Sequence, residues 1–144
     1  NIRPFIWRKH LDFAAIGATL RIVMEAAELL ATAGIDAEVI DVQTLLPFDL
    51  RGVIVQSLRK TNRAVFIDED VPGGATSYMM QHVLERDRGY DWLDSEPRTV
   101  TGKEHRPAYG SDGDYWSKPN RETIFEAVYD LMHEVNPRKY PKFL

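Results

Sequence analysis

DAEVIDVQTLLPFDLRGVIVQSLRKTNRAVFIDED fills residues 36–70, and its reading decides the fold. A β-rich run over 36–41 predicts a strand. The turn Thr44-Leu45-Leu46-Pro47-Phe48-Asp49 follows, and then a helix to 61. Asp49 is placed to cap that helix by accepting an amide hydrogen bond. Leu50, Val53, Ile54 and Leu58 form its expected buried stripe. Arg59 and Lys60 stand in its last turn, where positive charge suits the helix dipole. Ala64-Val65-Phe66-Ile67 is continuously apolar, as in a parallel strand covered by helices on both faces. It closes on Asp68, Glu69 and Asp70.

Upstream, 12–16 reads as a strand ended by Gly17, and 18–33 as a helix. Arg21, Glu25, Glu28 and Thr32 share one side of that helix; Val23, Ala26, Ala27 and Leu30 share the other. Gly34 is placed as a left-handed C-cap. Downstream, Gly73-Gly74 opens a helix carrying Tyr78, Met79, Val83 and Leu84. A short strand over 98–101 lies between Pro97 and Gly102. Residues 103–120 show no periodicity, which is long for a structureless loop in a compact domain. Asn120 caps a last helix with Ile124, Phe125, Val128, Leu131 and Met132 inward, ended by Pro137. Strands alternating with helices predict βαβ units and a mainly parallel sheet.

The chain has 144 residues, 16.5 kDa, a formal charge of −4 and a pI near 5.6, so it is one domain's worth of sequence without a basic footprint for nucleic acid. It contains no cysteine, which excludes disulfides and thiolate metal sites. No apolar run reaches the ~18 residues of a membrane helix. Residues 1–10 are polar and basic without a period, and read as the tail of a linker. Residues 11–136 form the domain. Residues 137–144 form a basic, aromatic C-terminal tail that nothing local would hold; it is either disordered or an arm on a neighbouring subunit.

AEVIDVQTLLPFD, SLRKTNRAVFIDED, the Gly73-Gly74 pair, EPRTVTG and Ala108-Tyr109, in that order, resemble the carboxy-terminal domain of the transketolase-like enzymes. They resemble above all that of the beta subunit, or fused alpha-beta chain, of thiamine-diphosphate-dependent 2-oxoacid dehydrogenases. The resemblance covers roughly 12–131. It implies a three-layer α/β sandwich with a mainly parallel, five-stranded mixed sheet, in which one strand is antiparallel and has no obvious place in the sequence. It implies that this domain is non-catalytic and binds no cofactor itself. Thiamine diphosphate and magnesium then sit in other domains of the parent, an oxidoreductase acting on an oxo group with a lipoyl acceptor. Implied partners are those domains or subunits, in a homo- or hetero-oligomer, and the acyltransferase core. Neither nucleic acid nor membrane is among them. The implied location is the cytoplasm, or the mitochondrial matrix in a eukaryote. Two alternatives remain open: the third domain of transketolase, deoxyxylulose-phosphate synthase or a pyruvate–ferredoxin oxidoreductase, or a free-standing α/β module with its own small ligand.

Asp68-Glu69-Asp70 lies where open α/β sheets gather ligands. Three carboxylates could hold a divalent metal, cap the next helix, or meet a partner. A phosphoacceptor site of the response-regulator kind would need an acidic pair after the first strand, where Gly17-Ala18 stand. In the resembling family a glutamate matching Glu69 faces other subunits. Gly73-Gly74 with Thr76 and Ser77 could receive an anion at a helix start or simply form a tight turn. Here the sequence departs from the beta-subunit pattern: Ser77-Tyr78-Met79 stand where a Gly-Ala-Glu is usual. Glu104 also replaces the usual aspartate after the fourth strand. None of His10, His82, His105 and His133 has metal-ligand spacing, and catalytic histidines of the family lie in absent domains. No catalytic or metal residue is therefore assigned. Glu69, Asp70, Gly73, Gly74, Tyr78, Tyr109, Tyr115 and Trp116 are the expected partner-interface residues. Asp87, Asp91, Asp94 and Glu96 form a second acidic cluster with an equal claim to docking.

Overall fold

The computed structural model describes residues 3–4, 10–105, 113 and 117–142. Its centre is a five-stranded sheet in the order β1-β3-β2-β4-β5. The strands are β1 (Arg3–Pro4), β2 (Leu11–Ala15), β3 (Ala37–Asp41), β4 (Ala64–Ile67) and β5 (Arg98–Val100). β2 pairs parallel with both β3 and β4, and β4 pairs parallel with β5. β1 pairs antiparallel with β3, Arg3 opposite Asp41 and Pro4 opposite Ile40. This supplies the antiparallel strand, and it comes from the segment read as linker. A two-residue Arg-Pro strand has no β-rich run to announce it, and proline is tolerated at a sheet edge.

The buried strands serve two layers. Leu11, Phe13, Ala15, Val39, Val65 and Ile67 face α1 (Thr19–Thr32) and α4 (Arg121–Val135). Ala14, Ile40, Ala64 and Phe66 face α2 (Val53–Thr61) and α3 (Ala75–Gln81). Side chains alternate across a strand, so a strand buried on both faces is apolar throughout. The expected stripe of α1 is buried at Val23, Ala26, Ala27 and Leu30, and Gly34 is left-handed at φ +78°. Asn120 closes a reciprocal capping box with Thr123 at the start of α4.

Leu50 corrects the expected stripe of α2: it is 81% exposed. Asp49 (φ 38°) and Gly52 (φ 63°) both leave the helical region, so the helix starts at Val53. The Asp49 carboxylate nevertheless caps it, accepting from the amides of Val53 (2.8 Å) and Ile54 (3.1 Å). The C-terminal tail is a second correction. Tyr140 is buried and stands edge-on to Tyr129, whose hydroxyl donates to the Pro141 carbonyl at 2.8 Å. His133 Nδ1 lies 2.7 Å from the Tyr140 carbonyl, to which it donates. Tyr140 and Pro141 of the tail are held by its own helix α4. Within the stretch expected to be irregular, Gly113 and Ser117 are helical and buried.

Candidate functional site

The loops after β3 and β4 meet at the carboxyl edge of the sheet. Phe48, from the first loop, is buried. Its ring stands edge-on to Tyr78 (centroids 6.0 Å apart) and to His82 (4.9 Å), both on the helical run after the second loop. Leu46 is 81% exposed, as Leu50 is, and Tyr78 and Val71 are also exposed. This edge therefore presents apolar side chains to solvent on either side of an aromatic anchor.

Asp68, Glu69 and Asp70 do not converge. Asp68 turns inward, its carboxylate accepting from the Asp70 amide at 3.3 Å. Burial raises its pKa, opposed by the amides of Glu69 and Asp70. Glu69 is exposed and pairs with Lys118 at 3.7 Å. Asp70 accepts from the Val71 amide at 2.8 Å and lies over Gly74 at the start of α3, where a carboxylate suits the helix dipole. No group of three or more His, Asp or Glu side chains able to hold a metal ion occurs among the described residues. The Gly73-Gly74 pair makes the turn, with Gly73 at φ +89°. A Cβ on Gly74 would strike the Asp70 carboxylate, and one on Gly102 the Glu69 carbonyl. The Gly102 amide donates to the Asp70 carbonyl at 2.8 Å, clamping the acidic turn to the end of β5.

Past Gln81 the helix widens into a π-helical turn, His82–Arg86, closed by Asp87 N donating to the His82 carbonyl at 3.0 Å. His82 Nε2 lies 3.6 Å from Asp87 Oδ2. The Asp87 carboxyl is raised by desolvation and by nearby Asp49, while His82 and Arg86 oppose this. A concavity of about 390 Å³ opens here, lined by Tyr78, Gln81, His82, Glu85 and Arg86. A second, of about 350 Å³, shares Gln81 and Glu85 with it and reaches Tyr90. A third, of about 400 Å³, continues from Tyr90 past Asp94 and Glu96 to Pro97. Together they form a groove along α3 and the 3₁₀ turn Gly89–Trp92, with exposed Tyr90 at its middle.

The structure thus joins Tyr78 to both the leucine-bearing edge and the groove. Asp94 and Glu96 line the groove; Asp91 pairs with Arg88 on the surface. Tyr109, Tyr115 and Trp116 lie outside the described residues. Leu46, Leu50 and Tyr90 were missed from sequence. Each is an apolar or aromatic residue in a turn, and only exposure in the folded chain distinguishes it from core.

Residues 7–118 match the family described as transketolase, C-terminal domain. The pyruvate dehydrogenase E1 component subunit beta of Rhizobium meliloti is 30% identical over 121 residues, which cover 83% of this chain and 26% of that protein. The acetoin:2,6-dichlorophenolindophenol oxidoreductase subunit beta of Bacillus subtilis is 38% identical over 93 residues, or 65% of this chain and 26% of that one. A split-gene transketolase solved as an inactive beta4 tetramer superposes with a TM-score of 0.74 at 22% identity, over 92% of this chain and 41% of the other. The chain spans about a quarter of the length of these two relatives.

Proposed function

Because this chain belongs to the transketolase C-terminal domain family, we propose that it is the non-catalytic third domain of a thiamine-diphosphate-dependent decarboxylating component. The parent acts on a 2-oxo acid of the pyruvate or branched-chain type, and the domain holds its subunits together. The observation that carries this reading is the carboxyl edge. Leu46 and Leu50, each 81% exposed, flank the buried Phe48 in an arrangement that suits an interface with an anchored centre and an apolar surface. The cofactor and magnesium belong to the parent's other domains. The relative named for acetoin supports a second reading of the parent's substrate, an acyloin in place of a 2-oxo acid.

The groove gives the domain a second task, docking a basic segment of the acyltransferase core. Asp94 and Glu96 line its far end with Tyr90, so charge and aromatic surface lie together there. This favours the 87–96 cluster over Glu69 and Asp70, which line none of these three concavities. The assembly role is tested with the double variant Leu46→Asp/Leu50→Asp in the parent enzyme. Sedimentation velocity should show the oligomer dissociating, with thermal unfolding of the domain little changed. An intact oligomer at all concentrations would overturn the assembly role.

A further inference from the structure

Asp12 of β2 and Glu38 of β3 are paired in parallel register, and each is about 1% exposed. Two carboxyl groups thus stand side by side beneath α2. The Ser57 hydroxyl donates to Asp12 Oδ1 at 2.7 Å, and the Lys60 ammonium lies 3.2 Å from Glu38 Oε2. Asp12 Oδ2 is buried with no hydrogen-bond partner among the described residues. Other described groups contribute little positive charge. From β4, Ala64 lies opposite Asp12. The Arg63 guanidinium turns away to the His10 carbonyl (3.0 Å) and Asp94 (3.1 Å). The His10 ring is engaged with the Asp36 amide. From α2, Thr61 adds only a hydroxyl beside Asp12. Among the described residues, the Lys60 ammonium sits at Glu38 and no cation lies within ion-pair distance of Asp12. A second ionised carboxylate would be left with an unsolvated oxygen, which is costly to bury.

We propose that Asp12 keeps its proton in the folded chain, and that this proton decides how firmly the C-terminal half of α2 is held to the sheet. The segment resting on that half responds with it. The Arg59 guanidinium lies 5.1 Å from the centre of the Trp92 ring. Asn62 Nδ2 donates to the Trp92 carbonyl at 2.7 Å, and the Asp94 amide donates to the Asn62 carbonyl at 3.0 Å. Loss of the proton draws water between β2 and α2, loosening residues 53–61 and 89–94 together. Desolvation, reinforced by Glu38, pushes Asp12 up to about 7 against Ser57, Thr61 and Lys60, which places the change near neutrality. The inference stands on this buried pair alone and holds whether or not the groove docks a partner.

Amide hydrogen exchange of the full chain, corrected for intrinsic chemistry and measured more than a unit below and above pH about 7, reads this directly. Amides of 53–61 and 89–94 should lose about tenfold protection relative to those of α1 on raising the pH. In Asp12→Asn that relative loss should vanish. In Ser57→Ala, which removes the donor to the ionised form, its midpoint should move down in pH if Ser57 mainly holds α2 in place, and up if it mainly stabilises the carboxylate. The proposal requires the upward shift. A wild-type ratio that is unchanged with pH, or an undiminished loss in Asp12→Asn, overturns it. Should Asp12→Asn fail to fold, the direction of the Ser57→Ala shift decides.

Discussion

The Phe48 ring stands edge-on to the His82 imidazole, with centroids 4.9 Å apart. That contact ties the loop after β3 to the helical run after β4, and so joins the leucine-bearing edge to the groove. Phe48→Ala should destabilise the domain by about 3–5 kcal/mol, the range for truncating a buried phenylalanine. Denaturant unfolding measures it. A loss under about 1 kcal/mol would show that the loop collapses onto α3 without its anchor.

Gly102 packs against the Glu69 carbonyl with no room for a Cβ. Gly102→Ala should lower stability by about 1–3 kcal/mol, as overpacking does, and should displace the acidic turn. Unfolding curves check the first effect. Loss of the Glu69–Lys118 pair, read as a fall in the coupling of Glu69→Ala and Lys118→Ala in a double-mutant cycle in the Gly102→Ala background, checks the second.

Stability should fall as pH rises through neutrality. Asp12 has a folded pKa of about 7 against an ordinary 3.8. Between those values the native state binds more protons than the unfolded chain, so its stability decreases with pH. The contribution is fully present below the ordinary value and lost as pH passes the folded one. At ~1.4 kcal/mol per unit, the loss is at most about 4 kcal/mol. Asp68 and Asp87 are raised too and act in the same direction. The Asp12→Asn variant should therefore flatten the profile without abolishing its slope, and should exceed wild type in stability above neutrality. Equilibrium unfolding across pH provides the test.

Docking should distinguish the two acidic clusters. Asp91→Lys/Glu96→Lys spares Asp94, which is paired with Arg63. It should slow capture of the acyltransferase by about tenfold at low salt and flatten the salt dependence, because rim charges act mainly on association rate. Glu69→Lys/Asp70→Lys should change capture much less. Decarboxylation of free 2-oxo acid should persist in both. If neither variant alters capture, the domain's task is subunit assembly alone.

Much of this architecture is legible before folding. The apolar run 64–67 and the two-sided pattern of α1 report local periodicity, and periodicity survives into the structure. Leu50 misleads because helical spacing continues through it while two left-handed residues, Asp49 and Gly52, delay the helix. Tyr140 misleads because its partner, Tyr129, is supplied by tertiary packing. Asp12 and Glu38 look like ordinary polar positions until the parallel register places them together under α2. The candidate interface was legible only in part. Glu69, Asp70 and Tyr78 follow from strand ends and turn chemistry, whereas Leu46, Leu50 and Tyr90 stand out only by their exposure.

Hydrogen exchange of the parent enzyme, assembled and then dissociated by dilution, tests the central claim most directly. Assembly through the carboxyl edge predicts slower exchange in the assembled state over 44–51 and 69–78, with the amides of α1 unchanged. Equal exchange of 44–51 and 69–78 in the two states would contradict the claim that this edge holds the enzyme together.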